Sequence, residues 1–266
     1  MNETLIHSSE IRSVAIIPAR MGSSRFPGKP MEKICGIPMI GHCYQRTKMS
    51  ASLSATYVAT CDEEIFDYIE SIGGDAIMTS PDHERASDRA AEAIKLIEID
   101  TGEEVDIVVM VQGDEPMVNS SMIDKSLFPF RDSSVQVVNL MAKIETLEEF
   151  EDPNEVKVVV DNHSNAIYFS REAIPSRKKG SEEVPMLKQV CIIPFRKDYL
   201  LKFNSMEETQ LEIIESVDMM RIIENGEKVR MVMIDDISFS VDTAEDLKKV
   251  QQEMKNDALM HTYISA

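Results

Sequence analysis

Short apolar, β-branched runs recur along this chain with longer stretches of helical spacing between them, and that alternation limits the fold more than any other feature. Strands are expected at 14–18, 55–60, 75–78, 105–111 and 135–142, and amphipathic helices near 37–50, 63–72, 87–101 and 120–128. A run such as VDIVVMV is apolar at almost every position, as a strand covered on both faces must be. Alternation of strand and helix implies right-handed crossovers and a mostly parallel sheet between two helical layers. After about residue 150 the pattern changes. Residues 156–169 read as two strands around the polar turn Asn162-His163-Ser164-Asn165, a hairpin. Residues 188–195 read as one strand, 208–224 as a long helix, 228–234 as a strand and 244–254 as a closing helix. The expected fold class is α/β: a three-layer, Rossmann-like core with a mostly parallel sheet and a smaller antiparallel insertion.

The chain has 266 residues, enough for one large α/β domain, and 43% of them are hydrophobic. Residues 1–12 read as an N-terminal extension, 13–266 as a single domain, and about 150–235 as its elaboration. The formal charge of -19 excludes nucleic acid as a general partner, because phosphate backbones attract basic surfaces. Cys35, Cys43, Cys61 and Cys191 lack CxxC spacing and zinc-like pairing with histidine, so free thiols in a reducing compartment are expected. The opening MNETLIHSSEIRS has neither the basic nor the apolar region of a signal peptide, and no stretch approaches membrane-spanning length. The expected location is cytoplasmic, with no membrane partner.

Against that acidity, residues 16–30, IIPARMGSSRFPGKP, concentrate positive charge. An apolar strand stops at Pro18-Ala19, and a short loop presents Arg20, Gly22, Ser23, Ser24, Arg25, Gly28 and Lys29. Small residues admit backbone N–H groups to phosphate oxygens, arginine offers forked donors and lysine a point charge. The expected ligand is a polyphosphate. The spacing is not that of GxxxxGK[ST], since Pro30 follows Lys29.

Asp114 ends a strand within Gln112-Gly113-Asp114-Glu115-Pro116. A carboxylate there suits a hard cation such as Mg²⁺, which takes few protein ligands and completes its shell with phosphate oxygens; Gly-Asp before Pro is also ordinary turn chemistry. Asp242 is a second candidate, although Asp242 or Thr243 could cap the last helix with Glu245 or Asp246 closing a capping box. The residues alone leave both pairs of readings open. His83 and Glu84 read as a solvated loop, Ser87 as a helix N-cap, and Arg89 as a group able to point into a cleft. Glu212, Glu215 and Asp218 fall three apart, as on a solvated helix flank, with Met219, Met220, Ile222 and Ile223 as core.

With these motifs in order, the chain from about Val14 to Met254 resembles the 3-deoxy-manno-octulosonate (KDO) cytidylyltransferases. The carrying segments are 16–30, GIPMIGH (36–42), VATCDEEI (58–65), MTSPDHERASDR (78–89), VQGDEPM (111–117), PNEVKVVVD (153–161), AIYFSREAIP (166–175), 211–221 and VDTAEDLKKV (241–250). The resemblance implies a nucleotidyltransferase fold and transfer of CMP from CTP to an acidic sugar, releasing pyrophosphate, for cell-surface glycan synthesis. It implies that Pro18, Ala19, Arg20, Ser23, Ser24, Arg25, Lys29, Gln112 and Gly113 bind the nucleotide. Arg20, Lys29 and Asp114 would be catalytic, and Asp114 and Asp242 would hold Mg²⁺. Arg89, Gln112, Gln189, Ile193 and Glu215 would face the acceptor, in a homodimer.

Two segments depart from the pattern. Where the family shows His-x-Gly-x-Tyr, residues 189–193 read Gln-Val-Cys-Ile-Ile, and its Ser-Gly-Thr-Glu-Arg stands as Arg85-Ala86-Ser87-Asp88-Arg89. The nucleotide and metal residues all match. The acceptor is therefore expected to be KDO or a related acid meeting a more apolar pocket. A transferase acting on a different, phosphorylated acceptor and a non-catalytic nucleotide sensor are the alternatives. The first normally has a more glycine-rich loop, and the second has no need of two carboxylates.

Overall fold

The strand Ser13–Ala19 (β1) is buried at all seven positions, as a central strand between two helical layers requires. The computed structural model describes residues 11–22, 26–178, 184–236 and 239–264. After β1 come two short strands, β2 (Lys33–Ile34) and β3 (Ile37–Pro38), then α1 (Met39–Lys48), β4 (Ala55–Thr60), α2 (Glu63–Ser71), β5 (Asp75–Met78), α3 (Ala86–Thr101) and β6 (Ile107–Val111). The chain continues through α4 (Ser120–Leu127), β7 (Val138–Lys143), α5 (Leu147–Glu151), β8 (Lys157–Val160), β9 (Ala166–Ser170), β10 (Leu187–Val190) and β11 (Ile192–Arg196). It closes with α6 (Lys197–Ser205), α7 (Gln210–Glu215), α8 (Met219–Glu224), β12 (Arg230–Ile234), α9 (Ala244–Met254) and α10 (Met260–Ile264).

Five strands form the first sheet in the order β11-β6-β1-β4-β5, parallel throughout except for β11 at one edge. Alternate residues of β1 and β6 feed opposite cores. Ile17, Val109 and Val111 join Ile40 and Cys43 on one face, and Ile16, Val108 and Met110 join Ile94 and Phe203 on the other. From β1 the chain builds outward through β4 and β5, then returns to place β6 on the other side of β1. The β1–β6 border is thus the topological switch point, where open α/β sheets bind ligands. Pairing of β1 with β6 stops at Ile16–Met110, whereas pairing with β4 continues to Ala19. A crevice opens past Pro18.

The α/β class and the mostly parallel core sheet follow the sequence expectation, with three corrections. The 135–142 strand belongs to a second sheet, ordered β12-β7-β10-β8-β9, which equals the first in strand number. That sheet is antiparallel except for the β12–β7 pair. The expected single strand 188–195 divides at Cys191, with β10 in the second sheet and β11 in the first. The expected helix 208–224 breaks at Ser216, which takes φ 53° and starts a new direction. The hairpin is formed by β8 and β9 around the expected turn, where Asp161 accepts the backbone N–H groups of His163 and Asn165. All four cysteines are free. No helix among the described residues is long and apolar enough to cross a membrane.

Candidate active site

A cavity of about 630 Å³ lies over the C-terminal ends of β1 and β6. Pro18, Ala19 and Arg20 line it from β1, and Gln112, Gly113 and Asp114 from β6. Gly113 is required by close approach: a Cβ there would stand 2.9 Å from the Pro18 carbonyl oxygen. Lys29, carried at the start of a single 3-10 turn, joins the two acidic segments. Its Nζ donates to Asp114 Oδ2 at 2.7 Å, to Asp242 Oδ1 at 3.2 Å and to the Val241 carbonyl at 3.0 Å. Burial opposes charge on this lysine, but the two carboxylates outweigh burial and hold its pKa above the usual value.

The helix-cap alternative for Asp242 is resolved by its neighbour. Thr243 caps α9 and Asp246 closes the capping box, so Asp242 faces the cavity. The Asp114 carbonyl accepts the Val241 N–H at 2.9 Å, which brings the two segments together. Two carboxylates converging on one cavity are a donor set that suits Mg²⁺, whose remaining ligands would be water and phosphate oxygens. Among the described residues no group of three or more potential metal-binding side chains exists, so an all-protein cage does not form.

The far side of the cavity is assembled from distant segments. Arg89 is almost fully buried in the first turn of α3 and braces the preceding loop, donating to Thr79 Oγ1, to the Ser80 carbonyl at 3.3 Å and to the His83 carbonyl at 3.4 Å. Arg171 donates to the carbonyls of Pro153 at 2.9 Å and Glu215 at 2.8 Å, lacing three walls together. Behind them lies Lys157, whose ammonium is fully buried and donates to the carbonyls of Asp152 at 2.8 Å, Glu155 at 2.7 Å and Arg171. Burial lowers the Lys157 pKa. Gln189, Cys191 and Ile193 supply the floor. Burial pushes the Cys191 thiol well up, so it stays protonated.

Several expectations change. Ser23, Ser24 and Arg25 lie outside the described residues. Glu215 is not in the cavity lining: its Oε1 accepts from the hydroxyls of Tyr168 and Ser170, each at 3.0 Å, and its Oε2 accepts from the Arg171 N–H at 2.9 Å. It latches α7 to β9. Nor are Glu212, Glu215 and Asp218 a solvated flank, because Glu212 is fully buried against Arg221 and Asp218 binds Arg85 and Ser87. Ser87 is no cap, since α3 begins at Ala86. His83 pairs with Glu92 and lines the cavity together with Glu84. Sequence reasoning missed Asn154, Glu155, Arg171 and Asp218, all in the lining. All four lie in segments already singled out, PNEVKVVVD, AIYFSREAIP and 211–221, the first three without a role attached and Asp218 as part of a solvated flank.

The family model described as cytidylyltransferase matches residues 14–229. A 3-deoxy-manno-octulosonate cytidylyltransferase from Trichlorobacter lovleyi is 40% identical over 253 residues, covering 91% of this chain and 98% of the relative. The chain belongs to this cytidylyltransferase family. A solved CMP:2-keto-3-deoxy-manno-octonic acid synthetase complexed with CTP is 36% identical, with a TM-score of 0.82, covering 92% of this chain and 98% of that one. A 4-diphosphocytidyl-2C-methyl-D-erythritol synthase from Anaerococcus prevotii, 14% identical, shares the fold with a TM-score of 0.64 over 93% of this chain and 97% of its own. Within this cytidylyltransferase the departures at 85–89 and 189–193 both fall on the cavity wall away from Lys29. Arg85 carries the first: it lines the cavity, yet its guanidinium is engaged by Glu208, Glu212 and Asp218.

Proposed function

We propose that this cytidylyltransferase transfers CMP from CTP to the anomeric hydroxyl of an acidic sugar, KDO or a near relative, for cell-surface glycan synthesis. The observation that carries this reading is the meeting of Lys29, Asp114 and Asp242 at the β1–β6 switch point, facing a wall that contains Arg89 and Arg171. One end of the cavity is suited to a triphosphate and the other to a carboxylate. Lys29 and Arg20 would hold the triphosphate, together with Ser23, Ser24 and Arg25. Pro18, Ala19, Gln112 and Gly113 present backbone and a narrow wall to the nucleotide. Asp114 and Asp242 would hold Mg²⁺, which when bound supplies charge neutralisation at the phosphates. Arg89, Gln112, Gln189 and Ile193 face the acceptor.

In the reaction the sugar oxygen forms a bond to the α-phosphorus as the bond to the bridging oxygen breaks; pyrophosphate departs and the hydroxyl proton passes to water. Rate comes from positioning and from neutralising phosphate charge, which these side chains are placed to do. No histidine or cysteine nucleophile is needed. A cytoplasmic homodimer is the form in which we propose the enzyme works, since both substrates are soluble.

The test is pyrophosphate release with CTP, Mg²⁺ and KDO, set against other acidic and phosphorylated acceptors. Asp114→Asn should keep the fold and cut release by about 10²-fold or more, as expected when a charge at the transferring phosphoryl group is lost. CTP binding without turnover on any acceptor would overturn the proposal in favour of a sensor.

A further inference from the structure

Asn139, on β7, is fully buried, and its amide has only one workable orientation. Nδ2 donates to the Val190 carbonyl at 2.8 Å and to the Leu140 carbonyl at 3.0 Å. Carbonyls only accept, so the nitrogen must face them and Oδ1 must face away. Gln189 meets that oxygen with its Nε2 at 2.6 Å. Turning the Gln189 amide over would set oxygen against oxygen. Its backbone N–H is committed as well, to the Val156 carbonyl at 2.8 Å. Gln189 lines the cavity, and with Nε2 turned to Asn139 its carbonyl oxygen, a hydrogen-bond acceptor, is turned away from Asn139.

Ile193 lines the same cavity and sits directly across from Met110, with Val217 and Met219 completing a hydrocarbon wall. The floor therefore combines one oriented acceptor with carbon. We propose that Asn139 is a positioning residue for the acceptor subsite: by holding Gln189 oxygen-outward beside Ile193, it selects acidic sugars that present one hydroxyl or ammonium donor next to a deoxygenated carbon. This rests on the reading of the cavity as a cytidylyl-transfer site. The selection is asymmetric. A site built around a polar contact discriminates strongly against a ligand that leaves it unmade, while hydrocarbon rejects an added hydroxyl only weakly.

The experiment measures pyrophosphate release at saturating CTP with KDO and with derivatives in which single chain hydroxyls are replaced by hydrogen or by an amino group. In the native enzyme one replacement by hydrogen should lower kcat/KM by about tenfold or more, and an amino group at that position should be accepted. Gln189→Leu should abolish that penalty. Asn139→Leu should raise the acceptor KM by about tenfold with the CTP KM within about twofold, and should add nothing in a Gln189→Leu background, as residues acting through one contact are non-additive. A full Asn139→Leu effect in the Gln189→Leu background would reduce Asn139 to a structural residue and overturn the proposal. So would a hydroxyl penalty that survives Gln189→Leu, a result that decides the matter even if Asn139→Leu does not fold. Turnover with no position-specific penalty overturns this inference alone. Absence of release with every acid overturns it together with the proposed function.

Discussion

Gly113→Ala should damage catalysis through geometry, without touching a charged group. The added Cβ would lie 2.9 Å from the Pro18 carbonyl oxygen, 3.3 Å from Ile40 Cδ1 and 3.4 Å from Ala19 Cβ. The end of Ile40 can swing aside. The Pro18 carbonyl has less freedom, because β1 is paired with β4 through Pro18 and on to Ala19. Restoring ordinary contact at about 3.4 Å requires the β1 and β6 ends to part by about 0.5 Å, and overpacking of this kind costs about 1–3 kcal/mol of stability. Asp114 is the next residue, so it moves with the strand end. If a 1 Å misplacement costs about 10² in rate, half that displacement predicts a loss of kcat of about tenfold. Urea denaturation reads the first quantity and pyrophosphate release at saturating substrates the second. Gly22→Ala is the control for stability: among the described residues, chain neighbours aside, no atom lies within 4 Å of its would-be Cβ, so the change should stay within about 0.5 kcal/mol. If Gly113→Ala matched the native protein in both assays, close approach of the two strand ends would not be what positions Asp114.

Three further outcomes follow from the packing behind the cavity. Arg221→Met removes a bidentate partner, 2.7 Å at each contact, from the fully buried Glu212; stability should fall by about 3 kcal/mol, the low end for breaking a buried pair because Arg85 remains at 2.8 Å. A loss below about 1 kcal/mol in chemical denaturation would mean that Arg85 alone satisfies Glu212. Lys157→Met removes one donor shared by three carbonyls and should raise the acceptor KM well beyond the CTP KM, since the tied segments line the wall proposed to meet the acceptor; equal rises would refute that division of the cavity. Asp161 has its pKa lowered to about 2 by the Asn165 side chain, then by the N–H groups of Asn165 and His163. Its folded pKa lies below the unfolded value, so its contribution is full above the ordinary carboxylate range and lost as pH falls toward 2. The gap in thermal midpoint between native protein and Asp161→Ala should therefore narrow as pH drops from 5 to about 2, and a gap that widened would reverse the sign of the argument.

The Lys29 side of the cavity was legible in the sequence because each of its parts is local. A strand end followed by a small-residue loop, a strand end followed by Gln-Gly-Asp and a helix start preceded by Ser-Val-Asp each carry their meaning within a few residues. Even the ambiguity at Asp242 was local, and Thr243 with Asp246 resolves it by taking the capping role. Parallel pairing brings the first two together at the switch point, and the Val241 N–H bound to the Asp114 carbonyl adds the third. Strand limits at 55–60 and 75–78 and the helix at 244–254 coincide with β4, β5 and α9 for the same reason.

The opposite wall was not legible in this way, because its contacts join partners far apart in sequence. Spacing of three on a helical stretch reads as one solvated flank only if the helix continues, and Ser216 ends it. With that break, Glu212 turns inward to Arg221, Glu215 latches onto β9 and Asp218 reaches back to Arg85 and Ser87. The run 188–195 is continuous in composition, and only the competition between two sheets for its halves divides it at Cys191. The division has a functional result. It places Gln189 beside Asn139 of the second sheet and Ile193 beside Met110 of the first, so a single stretch brings an oriented amide and a hydrocarbon surface to one cavity floor. The departure at 189–193 thus sits where the two sheets meet. On the proposed reading acceptor choice can change there while Lys29, Asp114 and Asp242 keep their geometry, because those three are carried by the 3-10 turn, the segment after β6 and the segment before α9, and Lys29 binds both carboxylates.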